Sequence, residues 1–199
     1  MRKLFMAAVL AAFSVGANAS LLFDNGTNTS ASATGWCSTC PGENWQVFDD
    51  FTVDNGSFIE QVVFEGKLSN PVDITVSLWS NLNSGLIYSE SFTFSELTPV
   101  QNSIGGSLQN YTLTANLPSL SVTSGTYWLS FSGSDFGVAA TTSPVNGGLT
   151  QVYNGSTNVT RDGDASFRVY GSVVPIPAAV WLFGSALAGL GWMRRRTTA

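Results

Sequence analysis

The chain has 199 residues with 13 acidic and 8 basic side chains, a formal net charge of −5, and no histidine. Without histidine, the ordinary Ser-His-Asp and Cys-His nucleophilic arrangements are excluded, as are zinc sites that rely on imidazole. Between Ser20 and Ser172 only Lys67, Arg161 and Arg168 stand against all thirteen acids, so that stretch carries −10 and is a poor partner for nucleic acid, which needs clustered Lys and Arg.

In chain order, Arg2 and Lys3 form a positive n-region, Leu4 to Val15 an apolar h-region, and Ala17-Asn18-Ala19 a small-x-small cleavage site. This pattern predicts a secretory signal peptide over 1–19 and a mature start at Ser20. The exported stretch that follows has a length that suits one domain with a sizeable core. Its low charge leaves Ser, Thr, Asn and Gly to fill exposed positions.

Runs rich in β-branched and aromatic residues recur about every dozen residues, separated by Gly, Pro, Asn and Asp clusters. They predict strands at Leu21 to Asp24, Trp45 to Val53, Ile59 to Leu68, Val72 to Trp79 and Leu86 to Phe94. Five more are predicted at Leu108 to Leu117, Thr126 to Phe131, Phe136 to Ala140, Leu149 to Tyr153 and Ser166 to Tyr170. Ile74, Val76 and Leu78 alternate with Asp73, Thr75 and Ser77, which assigns one face to a core and the other to water. Asp54-Asn55-Gly56, Asn81 to Gly85, Asn102 to Gly106 and Asn146-Gly147-Gly148 have the composition of turns. The expected fold is all-β: two packed antiparallel sheets in a jelly-roll or immunoglobulin-like β-sandwich. Gly171 to Val174 reads as a short linker.

Three groups of residues carry candidate chemistry. Cys37 and Cys40, in Trp36-Cys37-Ser38-Thr39-Cys40-Pro41, have the spacing of thioredoxin-type redox sites. The helix that would depress a thiol pKa is blocked by Pro41-Gly42, so an oxidising compartment predicts a small structural disulfide here. Asp162-Gly163-Asp164 forms an acidic turn that antiparallel pairing of early and late strands would bring near Asp24, Asp49 and Asp50. Solvated turn acids are the plainer reading; the alternative is a calcium site, with Asp24, Asp162 and Asp164 as ligands. Of six tryptophans, Trp181 and Trp192 fall in the apolar tail, Trp79 and Trp128 read as core, and Trp36 and Trp45 are left as candidates for stacking on sugar rings. A carboxylate pair for glycoside cleavage could be drawn from Glu60, Glu65, Glu90 or Glu96, with no separation readable.

The tail, 173–199, has a fixed order: Val174-Pro175-Ile176-Pro177, an apolar run over 178–193, and Arg194-Arg195-Arg196. Two prolines one residue apart favour extended backbone. As a helix, the sixteen apolar residues would span roughly 24 Å, short for a ~30 Å hydrocarbon core but workable with flanking residues. The arginines would then stop transfer and stay on the cytoplasmic side.

Val174 to Leu190 resembles the PEP-CTERM sorting signal, most closely its VPLPA-type variant, with Ile176 where the family's namesake motif has Glu. The resemblance is confined to the tail. It implies recognition by an exosortase, a membrane-embedded cysteine protease and transpeptidase of Gram-negative bacteria that make extracellular polysaccharide. The expected protein is non-enzymatic. It passes the inner membrane with the help of signal peptidase, is released from its anchor, and serves a structural or adhesive role at the cell surface or in a biofilm matrix. A carbohydrate-binding module, with or without calcium, is the alternative, and a glycan-active enzyme the third reading.

Overall fold

The computed structural model describes residues 19–27, 35–37, 45–68, 73–94, 109–133, 136–141 and 148–174, and every regular element among them is a strand. These are β1 (Ser20–Asp24), β2 (Gly35–Cys37), β3 (Trp45–Val53), β4 (Ser57–Leu68), β5 (Asp73–Asn81) and β6 (Ser84–Thr93). They continue with β7 (Gln109–Val122), β8 (Gly125–Gly133), β9 (Phe136–Ala139), β10 (Thr150–Tyr153), β11 (Thr157–Thr160) and β12 (Phe167–Val173). The ten predicted strands are all present with shifted ends, and β2 and β11 are additional. The predicted cleavage point falls where β1 begins.

Two six-stranded antiparallel sheets result. In the first, β4 is the spine: β7 pairs along one side of it, while β12 and then β9 pair along the other. β1 extends this sheet beyond β12 and β2 extends it beyond β9. The second runs β11-β10-β3-β8-β5-β6. Most connections carry the chain from one sheet to the other. Among the described elements, only β5–β6 and β10–β11 are hairpins within one sheet, and they form the two edges of the second.

Alternation explains which side chains meet between the sheets. Ile74, Val76 and Leu78 are buried as expected, beside Leu129, Phe131, Val47 and Phe51 of the same sheet. The first sheet contributes Ile59, Val62, Phe64, Leu113 and Phe167. Rings bridge the layers: Phe64 lies 4.8 Å from Phe131, and Phe51 lies 6.3 Å from Phe167. Burying such side chains contributes roughly 1.5–3 kcal/mol each, the main force holding the layers together.

The stretch read as a linker is instead part of the sheet. β12 continues through Gly171 to Val173, and the Val174 N–H donates to the Gly56 carbonyl at 2.9 Å. Gly171 is there for close approach, since a Cβ would collide with the Phe58 carbonyl of β4. The signal-peptide reading up to residue 18, the apolar run 178–193, the arginines 194–196 and Cys40 lie outside the described residues. Among the described residues, no helix is long and apolar enough to cross a membrane.

The β7–β8 crossing is tied by Tyr127. Its ring packs 6.0 Å from Phe51, and its hydroxyl accepts from the Thr123 N–H and donates to the Thr123 carbonyl, both at 3.1 Å. This closes the corner where the chain changes sheets. Tyr127→Phe keeps the ring and removes both bonds. Thermal or denaturant unfolding is expected to show a loss of about 1–3 kcal/mol, and an unchanged midpoint would mean that water replaces the hydroxyl without cost.

Candidate functional site

With Val47, Asp49, Phe51 and Val53 facing the core, alternation turns Gln46, Phe48, Asp50 and Thr52 of β3 to the outward face of the second sheet. Register sets Val152 beside Gln46, Ser130 beside Phe48, and Trp128 between Asp50 and Trp79. Trp79 and Trp128, expected in the core, are therefore half-buried on the outward face. Their neighbours Leu78 and Leu129 take the inward positions, and a period of two leaves no other choice.

That face is not simply wet, as the alternation in β5 had implied. Phe48 and Ser130 are fully buried and Ser77 nearly so. The Trp79 ring lies 5.6 Å from Phe48, and its indole N–H donates to Ser130 Oγ at 2.8 Å. Gln46 Nε2 donates to the same oxygen at 2.7 Å, which fixes the orientation of its amide.

Where β3 begins, a pocket of about 340 Å³ is lined by Trp45, Gln46, Ser132, Val152, Asn154 and Gly155; it wraps the strand end, with Gln46 and Val152 at outward positions and Trp45, by the same alternation, at an inward one. Trp45 pairs in register with Tyr153, and their rings stand 4.9 Å apart at 42°. Asn154 and Gly155 form the β10–β11 turn with φ of 47° and 70°, left-handed values that suit Asn and Gly, and Ser156 N–H closes it onto the Tyr153 carbonyl at 3.0 Å. From the opposite edge hairpin, Asn83 Nδ2 donates to the Gly155 carbonyl at 2.9 Å. The tips of the two edge hairpins therefore touch.

A second polar cluster sits between the sheets. Asp49 is fully buried; its Oδ2 accepts from the Ala165 N–H at 2.6 Å and from Asn25 Nδ2 at 2.9 Å, and its Oδ1 from the Asp50 N–H at 2.9 Å. Asn25, also fully buried, donates to the Ala165 carbonyl at 3.0 Å as well, while its backbone N–H reaches the Phe167 carbonyl at 3.0 Å. Asp164 Oδ1 accepts from the Gly148 N–H at 2.7 Å. Burial pushes the Asp49 carboxyl from 3.8 up to about 8, with the Asp164 and Asp50 charges adding to the rise and the Ala165 and Asp50 N–H groups opposing it. Burial also raises Asp50, again with Asp164 adding to the effect.

The structure thus brings Asp49, Asp50 and Asp164 together but not the full set expected for calcium. Asp24 is exposed and turns back onto the Gly26 N–H at 2.8 Å, and Asp162 is exposed. Early and late strands do pair, with Asp24 opposite Arg168. Among the described residues, no group of three or more His, Cys, Asp or Glu is arranged to hold a metal ion.

The remaining candidates are dispersed. Glu65 is buried beside Arg168 at 3.8 Å, Glu60 accepts from Ser172 at 3.2 Å, and Glu90 bonds to Tyr88. Glu96 lies outside the described residues. Trp36 and Cys37 fall in β2, paired to β9; their side chains, and with them the disulfide, lie outside the described residues. Sequence reasoning found Trp45 but missed Gln46, Ser132, Asn154, Asn83 and Asn25. The Asn154-Gly155 turn dipeptide and the Asn81 to Gly85 turn that contains Asn83 carried a local signal.

Comparison with known proteins finds no matching family model, no similar curated protein and no similar solved structure.

The Asp49 shift has a sign that can be measured. Because the folded carboxyl keeps its proton up to about pH 8 and the unfolded one loses it near 3.8, the associated stability is complete below about pH 4 and is lost as pH rises through 8. At most about 1.4 kcal/mol per pH unit is expected, or up to about 4 kcal/mol between pH 5 and pH 8. Asp49→Asn should be less stable at low pH, where its amide meets N–H donors, and should flatten the profile. Denaturant unfolding across this range checks it; a wild-type profile that rises with pH would show Asp49 ionised in the fold.

Proposed function

We propose that this chain is an exported β-sandwich of the jelly-roll or immunoglobulin-like kind, anchored transiently by a C-terminal transmembrane helix. An exosortase-like membrane protease releases it to the cell surface or extracellular matrix of a polysaccharide-producing Gram-negative bacterium. Its role there is structural or adhesive rather than enzymatic. The observation that carries the address is the order of Val174-Pro175-Ile176-Pro177, the apolar run 178–193 and Arg194 to Arg196, behind an N-terminal export pattern. Repeated sheet-to-sheet crossings and the Tyr127 corner support the sandwich.

A second reading, a carbohydrate-binding module, is favoured by one observation. The Trp45 pocket combines an aromatic ring with two side-chain amides and a hydroxyl, a set that can stack on a sugar ring and bond its hydroxyls. In this reading the partner is extracellular polysaccharide.

The sorting proposal is tested in a host with a matching exosortase. Mass spectrometry of the surface-released protein is expected to show the N-terminus at Ser20 and loss of Arg194 to Arg196. Replacing Pro175 and Pro177 by Ala is expected to leave the protein in the membrane fraction. Released wild-type protein that still carries the arginines would overturn the proposal.

A further inference from the structure

Resting on the carbohydrate-binding reading, we propose that the Trp45 pocket takes an uncharged sugar unit without calcium, and that Asn83 is a positioning residue for one of its walls. The residues that line it carry one aromatic ring, one aliphatic side chain, two carboxamides and one hydroxyl beside a glycine, and none of them is a carboxylate or a cation. A uronate brought here would find no positive group in a domain carrying −10, and its desolvated charge would stay unpaired. A calcium site normally balances the ion's charge with Asp or Glu, and the lining has only neutral oxygens to offer. A neutral pyranose has what the lining can satisfy: an apolar C–H face for the indole and hydroxyls for Gln46, Asn154 and Ser132. At about 340 Å³ the pocket is near the small end of the ~300–1,000 Å³ range of small-molecule sites, which suits one or two sugar units rather than a long chain segment.

The pocket is preorganised from three sides. Tyr153 backs the Trp45 ring, Ser130 holds the Gln46 amide, and Asn83 holds the Asn154-Gly155 turn through the Gly155 carbonyl. Asn83 lies on the other edge hairpin at φ 52°, so glycine can replace it without backbone strain while removing the amide. Loss of this tie frees the wall and not the core, which predicts faster ligand release with little change in stability.

The test is titration of the natively exported protein with neutral gluco-, manno- and N-acetylglucosamine oligosaccharides and with alginate and polygalacturonate fragments, each with EDTA or calcium. Binding of a neutral series that is indifferent to EDTA is expected. Trp45→Ala is expected to weaken it at least tenfold and Trp45→Phe, which keeps a ring against Tyr153, by less. Asn83→Gly is expected to raise the dissociation rate severalfold with the melting temperature nearly unchanged. Binding confined to the acidic fragments with calcium overturns the ligand class and leaves the carbohydrate reading standing. Absence of binding to every probe overturns both. Full affinity in a folded Trp45→Ala protein places the ligand elsewhere and overturns the pocket, and a lowered melting temperature with intact kinetics in Asn83→Gly overturns the role of Asn83.

Discussion

A carboxyl group placed in the core is the constraint on which much of the local geometry depends. Asp49 takes an inward position on β3, among Leu78 and Leu129, where a hydrophobic residue would be the ordinary choice. Its burial is tolerable because N–H groups converge on it from the Ala165 backbone, the Asn25 side chain and its own neighbour Asp50. Those donors belong to three separated stretches of chain, so satisfying one carboxyl fixes the segment after β1 and the segment before β12 against β3. The fixed loop then passes order onward. Asp164 accepts from Gly148 through its side chain and from Thr141 at 2.8 Å through its carbonyl, and the Gly163 carbonyl accepts from Leu149 at 3.0 Å. This sets where β10 starts, and hence where the β10–β11 turn ends up beside Trp45. Core electrostatics and the surface pocket are linked by this chain of bonds.

The second consequence is topological. Connections that cross between layers leave few hairpins, and the two described ones are the outermost pairs of the second sheet. Edge strands present unpaired backbone groups to solvent, and contact between the edge-hairpin tips through Asn83 and Gly155 ties the two edges to each other. β6 nevertheless keeps Leu86 and Ile87 exposed along its length. The outward face of this sheet carries a fully buried Phe48 and an indole N–H committed to Ser130. A sheet face that would otherwise read as solvated Ser and Thr thus acquires an interior of its own.

What the sequence disclosed follows from what is local. Period-two alternation is local, so ten of the twelve strands and the turns at Asp54 to Gly56 and Asn81 to Gly85 were legible. Gly35–Cys37 and Thr157–Thr160 were not. Three residues hold too little alternation to count, and the second run has Val159 as its single apolar residue, so both are strands by virtue of their partners. Trp79 and Trp128 were assigned to the core on their hydrophobicity, whereas their faces are dictated by Leu78 and Leu129. Trp45 stood out by type. Gln46, Ser132 and Asn154 did not, because an amide or hydroxyl gains meaning only from the register that brings it beside an aromatic ring. Asn25 and Asp49 are farther still from legibility, since their pairing joins the segment after β1, in one sheet, to β3 in the other.

The end of β12 bears on how the tail could be read by a protease. The first sheet holds the chain as far as Val174, whose N–H is bonded to Gly56, and the next residue is Pro175, which has no N–H to continue the ladder. The proline motif therefore begins at the residue where the sheet can no longer hold the backbone, with no spacer between domain and motif. Under the sorting proposal, an enzyme seated in the membrane would either approach the folded sheet to within a residue or two or draw the last pairs of β12 away from β4. The second course is inexpensive, because Val173 and Val174 are 47% and 41% exposed and give up little apolar contact when they fray. Gly171, buried against Phe58, sets the limit of such fraying, because beyond it the core would have to open. Under the sorting proposal, a motif so placed would couple processing to folding, because the last described pairs of β12 with β4 end one residue before Pro175.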